Sequence, residues 1–291
     1  MQKDFLQRFI FEEFPVRGGL IRLRDSWLEV LSMSSYPAPI RSLMGKALAA
    51  SGLLTSNLKF KGTLSLQIQS SGILRLLVAQ CNDQGEIRGV SRFSEAAGEH
   101  HQLTDLLDQA VLAINLEPTL GGQNYQGLVP FQDSSMQAAL EHYFLQSEQL
   151  ETRIWLAVDD HAAAGMLIQK MPGNEPHDED WSRINALAAT IRDAELLTLD
   201  SRDLLKRLFH EEDVRIFKPV SMRFNCSCSR EKVAGMLQAL GHDEVRSALA
   251  ETDPLEINCE YCNQRYIFDQ LDVSQLFTQD ELPPPVSGQA Q

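Results

Sequence analysis

The spacing of the cysteines near the C-terminus constrains the fold more than any other feature of the sequence. The chain of 291 residues has five cysteines, and four of them form two close pairs, Cys226 with Cys228 and Cys259 with Cys262. Each pair can supply two thiolates to one ion while the chain between the pairs folds back, which is typical of tetrahedral zinc sites. The sequence therefore predicts that these four cysteines bind one zinc ion per chain.

The sequence also indicates a reducing environment. Residues 1–14 mix acidic and basic side chains among apolar ones and lack the unbroken apolar run of a secretory signal. The most apolar runs, such as residues 110–116, are much shorter than the roughly 18 residues that a membrane span requires. We expect a cytoplasmic protein, in which paired cysteines are more often metal ligands or redox groups than structural disulfides. All-thiolate ligation in that setting favours zinc.

Acidic residues outnumber basic residues along the whole chain. The formal net charge of −14 divides into −4 over residues 1–174, −4 over 175–220 and −6 over 221–291. Attraction to phosphates supplies most non-specific affinity for nucleic acids, so this balance argues against DNA or RNA as the main ligand. The basic residues near the cysteine pairs, which could offset the charge of four thiolates, are Arg223, Arg230, Lys232 and Arg265.

Residues 1–174 predict an α+β domain with antiparallel β-sheets and helices. Alternation of apolar and polar residues, interrupted by glycine-containing turns, predicts strands over residues 62–69, 73–80, 87–93, 110–116, 125–129, 153–158 and 165–170. Helices are predicted over 39–54 and 136–149, the second behind a cap at Asp133 or Ser134. Strands outnumber helices and do not alternate regularly with them, which favours α+β over a doubly wound parallel sheet.

The composition changes at residue 171. Residues 171–180 combine two prolines, a glycine and four acidic residues, which is typical of a linker. An amphipathic helical run follows over residues 181–209, with apolar residues that need a surface to lie on. Two interpretations of residues 175–220 stay open: an ordinary docked helical pair, or a linker whose docking can be undone.

Residues 221–282 hold all four paired cysteines, and their apolar residues are thinly spread. A core of this size is marginal without further support. Structural zinc contributes about 10 to 16 kcal/mol in small zinc peptides, while a whole domain is stable by only about 5 to 15 kcal/mol. We therefore expect removal of zinc to unfold most of this segment. Residues 283–291, PPPVSGQAQ, predict a disordered tail.

Oxidation of the cysteines is expected to release the metal. Oxidants convert a thiolate to a sulfenic acid, which condenses with a neighbouring thiol to a disulfide. Cys226 with Cys228, and Cys259 with Cys262, are close enough in sequence to couple in this way. A sulfur in a disulfide is no longer a thiolate ligand. A disulfide across one intervening residue closes a small ring that is relatively easy to reduce, so the change is reversible.

Two alternative functions stay open at this point. A zinc-ribbon module that binds nucleic acid would use the same cysteine pairs, but its expected basic patch is missing. A thiol-disulfide oxidoreductase could use the CxxC pair Cys259 to Cys262. Such a pair normally opens a helix, whereas the residues around it here predict a strand, a knuckle and a second strand. Cys81, the remaining cysteine, is interpreted as a strand residue with a packing role.

Two stretches hold the paired cysteines, CSCSRE at 226–231 and INCEYCNQRYIF at 257–268. These stretches resemble the zinc domain of the redox-regulated heat-shock chaperone family of about 33 kDa. The resemblance extends upstream, in the order of the family, through NLKFKG, RGVSRF, YFLQSEQLETR, GMLIQKMP, ELLTL and LLKRLFHEEDVRIF. The likeness covers nearly the whole chain.

The resemblance implies a molecular chaperone rather than an enzyme. In that family the reduced, zinc-bound protein is inactive, and oxidation forms two local disulfides, here Cys226–Cys228 and Cys259–Cys262. Zinc then leaves, the C-terminal domain (221–282) and the linker (175–220) unfold, and apolar surface becomes available to unfolding client proteins. The family acts without ATP as a holdase, protects clients from aggregation and dimerises on activation through its N-terminal domain, here residues 1–174.

Overall fold

Residues 4–56, 61–119, 121–131, 135–171 and 178–278 are described in the computed structural model of the chain. The chain divides into two units, Met1–Asn225 and Cys226–Gln291, so the break lies directly before the first paired cysteine. The fold class is α+β, as predicted. The four-part division at residues 174, 220 and 282 stays a prediction, and the tail 283–291 lies outside the described residues.

The first unit contains two six-stranded sheets and six α-helices among its described residues. The strands are β1 Phe5–Phe11, β2 Val16–Leu23, β3 Gly62–Gln69, β4 Leu74–Asn82, β5 Glu86–Phe93, β6 Val111–Pro118, β7 Tyr125–Pro130, β8 Thr152–Val158, β9 Ala163–Lys170, β10 Val214–Ile216, β11 Val220–Ser221 and β12 Arg223–Phe224. The helices are α1 Asp25–Met33, α2 Ala38–Thr55, α3 Met136–Ser147, α4 Asp178–Ala188, α5 Asp193–Thr198 and α6 Ser201–Leu208.

Sheet B, with strand order β12-β5-β4-β3-β6-β7, follows the sequence pattern closely. In β3, Leu64, Leu66 and Ile68 point into the largest hydrophobic cluster, and Leu66 pairs with Ala79 and Ile114 on its two sides.

The seven predicted strands of the two sheets and both predicted helices are present, with ends within two residues of the prediction. Ser135 caps α3 by accepting a hydrogen bond from Ala138 N at 3.3 Å, whereas the predicted caps at 133 and 134 lie outside the described residues.

Sheet A, with strand order β10-β1-β2-β9-β8, is covered by helices on both faces, and β11 also pairs with β1. Ile21 and Leu167 belong to the cluster that contains α2, whereas Leu20, Met166 and Phe9 belong to a second cluster that contains α4, α5 and α6. The sequence analysis predicted β8 and β9 of this sheet but missed β1 and β2. Neither β1 (FLQRFIF) nor β2 (VRGGLIRL) shows strict alternation or a continuous apolar run, because polar residues and the pair Gly18–Gly19 interrupt the pattern.

The amphipathic run after residue 180 forms three helices rather than a pair. Glu195 closes a capping box with the backbone of Arg192 and starts α5. Asp200 accepts a hydrogen bond from Arg202 N at 3.0 Å and starts α6. Each helix turns its own apolar face to sheet A, which accounts for the apolar residues outside a single narrow stripe.

The second unit consists of α7 Arg230–Leu240, α8 His242–Glu251, β13 Leu255–Asn258, β14 Arg265–Phe268 and α9 Gln270–Thr278. Among residues 226–278, its hydrophobic cluster contains five buried residues, which are Leu237, Val245, Leu249, Phe268 and Val273. The described part of the first unit has clusters of 37 and 18 buried residues. The thin core that the sequence predicts is therefore present. In the part of the chain that the structure describes, no helix has the length and apolar character needed to cross a bilayer.

Candidate metal centre

Two short loops carry the four paired cysteines. Cys226 and Cys228 lie in the extended stretch before α7, and Cys259 and Cys262 lie in the turn between β13 and β14. The two strands are antiparallel, and the turn is closed by hydrogen bonds from Cys259 N to the Gln264 carbonyl and from Asn263 N to the Cys259 carbonyl, at 2.9 and 2.8 Å. The predicted strand, knuckle and strand are confirmed.

The fold brings the four sulfurs together. All four Sγ atoms lie within 4.8 Å of one another. The sulfurs of Cys226 and Cys259 are 3.6 Å apart, and those of Cys228 and Cys262 are 3.4 Å apart. A tetrahedral site with metal–sulfur bonds of about 2.3 Å places its sulfurs roughly 3.8 Å apart. The cysteines are free thiols, and their arrangement could hold a metal ion.

The sulfurs differ in their electrostatic surroundings. Burial raises the pKa of Cys226 and of Cys262. Burial also raises the pKa of Cys228, but hydrogen bonds to its sulfur outweigh burial and lower the pKa to about 7. The first of these bonds comes from the hydroxyl of Tyr266, which lies 3.1 Å from the Cys228 Sγ atom. Its hydrogen bond to Cys228 is also the main reason why the pKa of Tyr266 is raised.

The basic residues near the cysteine pairs are engaged by other groups. The ion pairs are Arg223 with Glu86, Arg230 with Asp272 and Arg265 with Glu256. Lys232 donates from Nζ to the Ser227 carbonyl at 2.6 Å, which fixes the loop between Cys226 and Cys228. Pairing of the three guanidinium groups with carboxylates further weakens the nucleic-acid alternative, because it leaves fewer charges for phosphates.

Cys81 lies apart from this group of cysteines. It is in β4, is 1% exposed and belongs to the main cluster of the first unit, as the packing interpretation predicts. Burial raises the pKa of its thiol to about 12, which makes it a poor nucleophile at neutral pH. The sequence analysis gave no role to Tyr266. Its contact with Cys228 depends on the β13–β14 register, in which Tyr266 lies opposite Ile257.

Comparison with known proteins gives the family. The profile described as "Hsp33 protein" matches residues 4–269 of the chain. The chain belongs to the Hsp33 family. Curated relatives named "33 kDa chaperonin" include a Shewanella baltica protein, 43% identical over 277 residues, with 95% of this chain and 96% of the relative covered. Another, from Methylobacillus flagellatus, is 45% identical over 285 residues, with 97% of each chain covered.

The Hsp33 fold is also found in a solved structure. The crystal structure of the 33 kDa chaperonin (heat shock protein 33 homolog) from Thermotoga maritima superposes with a TM-score of 0.80 at 22% identity. The match covers 95% of this chain and 99% of that one. Membership of the Hsp33 family identifies a heat-shock chaperone in a non-enzymatic family, so the oxidoreductase alternative is set aside.

Proposed function

We propose that this protein is an ATP-independent holdase that is inactive while its four-cysteine site binds zinc and becomes active when oxidation removes the ligands. The observation that carries the proposal is the meeting of four sulfurs within 4.8 Å in a unit whose described residues form a core of five buried side chains. Zinc, when bound, would keep Cys226, Cys228, Cys259 and Cys262 as thiolates and supply much of the folding energy that the apolar core lacks.

Hydrogen peroxide can serve as the two-electron oxidant of each cysteine pair. A thiolate of one pair attacks hydrogen peroxide, the O–O bond breaks, and sulfenic acid and hydroxide form. The second thiolate of the same pair attacks the sulfenic sulfur, so that a disulfide forms and a second hydroxide leaves. Two peroxides therefore convert Cys226 with Cys228, and Cys259 with Cys262, into two disulfides. No thiolate then remains to bind a cation.

The conditional linker in this proposal is residues 175–220, and its helices are α4, α5 and α6. They bury one face of sheet A through residues such as Trp181, Ile184 and Leu205. Phe209, directly after α6, contacts Phe9 on the sheet with ring centroids 6.3 Å apart. Undocking of these helices would expose both their apolar faces and that face of sheet A. Contiguous apolar surface of this kind binds the exposed apolar segments of unfolding proteins.

A buried arginine adds hydrogen bonds to the apolar contacts that hold these helices on sheet A. Arg22 in β2 is 4% exposed and donates from Nη2 to the carbonyl of Leu196 at 2.9 Å and to that of Leu199. No described group accepts a hydrogen bond from its Nε atom. A buried donor without an acceptor costs free energy, so the docked state is less stable than complete apolar packing would make it. This feature supports a reversible linker.

The first paired cysteine follows β12 closely in the chain. Asn225 N donates to the Ile87 carbonyl at 3.1 Å at the end of β12, and Cys226 follows directly. Unfolding of the second unit would therefore reach the residue next to this strand. We also propose, from the family resemblance, that the active form is a cytoplasmic homodimer whose partners are unfolding client proteins.

The decisive experiment follows zinc and function together. The reduced chain is treated with hydrogen peroxide at a mildly denaturing temperature, and zinc, free thiols and aggregation of a heat-denatured client are measured at each time. We expect release of one zinc per chain, loss of the four site thiols and suppression of aggregation without ATP. Equal suppression by the reduced, zinc-loaded protein would reject the redox part of the proposal.

A further inference from the structure

A tyrosine hydroxyl contacts one of the four sulfurs. The Oη atom of Tyr266 lies 3.1 Å from the Cys228 Sγ atom, a distance at which a phenol donates a hydrogen bond to a thiolate. Zinc-bound sulfurs remain thiolates, so this geometry suits the zinc-loaded state that the proposed function requires. The contact concerns the first cysteine pair, although Tyr266 is close in sequence to the second.

Both sides of this contact are held in place. Tyr266 is paired with Ile257 across the hairpin and packs against the small core of the second unit. On the other side, Ser229 caps α7 directly after Cys228 by accepting a hydrogen bond from Lys232 N at 3.3 Å. The distance between hydroxyl and sulfur is therefore fixed by a strand register and a helix start.

Arg230 connects the two sides of the contact. It donates from Nη1 to the Ile267 carbonyl at 2.6 Å, pairs with Asp272 at 2.8 Å and lies over the buried ring of Phe268, 4.2 Å from its centroid. Ile267 and Phe268 follow Tyr266 in β14, and Arg230 follows Cys228 by two residues. The loop of the first pair and the strand that carries the hydroxyl therefore remain together while the unit is folded.

We propose that Tyr266 is a positioning residue that slows oxidation of the zinc-bound Cys228 thiolate. The inference rests on the proposed function. Attack on hydrogen peroxide needs a sulfur lone pair: the S–O bond forms, the O–O bond breaks, hydroxide leaves and the sulfur is oxidised to sulfenic acid. A hydrogen bond to that sulfur withdraws charge from it and lowers its nucleophilicity. Tyr266 thereby raises the amount of oxidant that is needed to open the site.

The test compares oxidation rates of the two cysteine pairs in the reduced, zinc-loaded full chain. Trypsin separates them, because cleavage after Arg223 and Arg230 gives a peptide with the first pair, and cleavage after Arg246 and Arg265 gives one with the second. Thiols that survive timed exposure to hydrogen peroxide are alkylated and measured by mass spectrometry. For Tyr266→Phe we expect faster oxidation of the first peptide, by about three- to ten-fold.

A matched control is available in the same hairpin. Tyr261→Phe makes the same chemical change between the cysteines of the second pair, and we expect the first peptide to oxidise at the wild-type rate. An equal acceleration in both variants would show a general effect of removing a hydroxyl and would overturn the inference. So would an unchanged or slower rate in Tyr266→Phe that retains one zinc per chain.

A second variant keeps the inference testable if Tyr266→Phe folds poorly. Incorporation of 3-fluorotyrosine at position 266 retains the ring and makes the hydroxyl a stronger donor, so we expect slower oxidation of the first peptide. An unchanged rate would overturn the inference. Failure of the proposed function gives a different result, because the wild-type chain would then bind no zinc or keep it after both pairs oxidise.

Discussion

The two units of this chain differ in the side chains that are available to stabilise them. Among the described residues, the first unit has hydrophobic clusters of 37 and 18 buried residues around two sheets, whereas the second has five. The second unit instead gathers four sulfurs within 4.8 Å. Apolar packing is insensitive to oxidants, whereas thiolate ligation is destroyed by them. Under the proposed function, one part of the chain would respond to oxidant while the other part keeps its fold.

Removal of zinc tests this comparison with the largest expected effect. Under reducing conditions, a strong chelator should withdraw about 10 kcal/mol or more of folding free energy from the second unit. We expect amide hydrogens of α7, α8, β13 and β14 to lose protection from exchange, while those of β3, β4 and β6 keep it. Unchanged protection in the second unit would show that its apolar core is enough to keep it folded without zinc. The two units would then not differ in what stabilises them.

Loss of a single zinc ligand should have the second-largest effect. We expect Cys262→Ser to weaken zinc binding by more than the roughly 10- to 100-fold that loss of a ligand-orienting group costs. Zinc competition titrations measure this change. Cys81→Ala is the matched control, because it removes a buried sulfur from the first unit and should lower the stability of that unit without any change in zinc content. Wild-type zinc affinity in Cys262→Ser would contradict the ligand assignment.

Loss of the Arg22 contacts should undock the linker helices in part, with an effect on stability smaller than that of losing a zinc ligand. Arg22→Ala removes the donor to the Leu196 and Leu199 carbonyls, which should destabilise the docked helices by about 1 to 3 kcal/mol. We expect the reduced, zinc-loaded variant to suppress client aggregation partially. Arg17→Ala, on the same strand, loses a bond to Gln169 instead and should stay inactive when reduced. Equal activity in both variants would argue against a specific role for Arg22.

The smallest expected effect is a pH dependence at β12. Hydrogen bonds, first from Asn82 and then from Arg223, lower the pKa of Glu86 below its ordinary value of 4.5. A carboxyl group whose pKa is lowered by folding stabilises the fold at every pH above its ordinary pKa. This stabilisation is lost as the pH falls from the ordinary pKa through the lower pKa of the folded state. We expect thermal midpoints of the first unit to fall over that range in the wild type and less in Glu86→Gln. Parallel pH profiles would show that Glu86 contributes nothing there.

Sequence patterns predicted those regions whose structure follows from a short-range pattern, such as alternation in a strand or the spacing of cysteines. β3 alternates because one face is buried, and the cysteine pairs meet because two loops of fixed spacing fold back on each other. β1 and β2 were missed because Gln7 and Arg8 in β1, and the pair Gly18–Gly19 in β2, interrupt any regular pattern of apolar residues. The contact between Tyr266 and Cys228 joins residues 38 apart, and only the hairpin register reveals it.

The double covering of sheet A has a kinetic consequence. Its strands are held by backbone hydrogen bonds to neighbouring strands, and these bonds do not involve the helices that lie on its faces. Departure of α4, α5 and α6 would leave the pairing and register of β1, β2, β9 and β8 intact, with α2 still packed on the opposite side. A flat apolar surface would then be ready as soon as the helices leave, on the microsecond-to-second timescale of local unfolding, without time spent refolding a binding site.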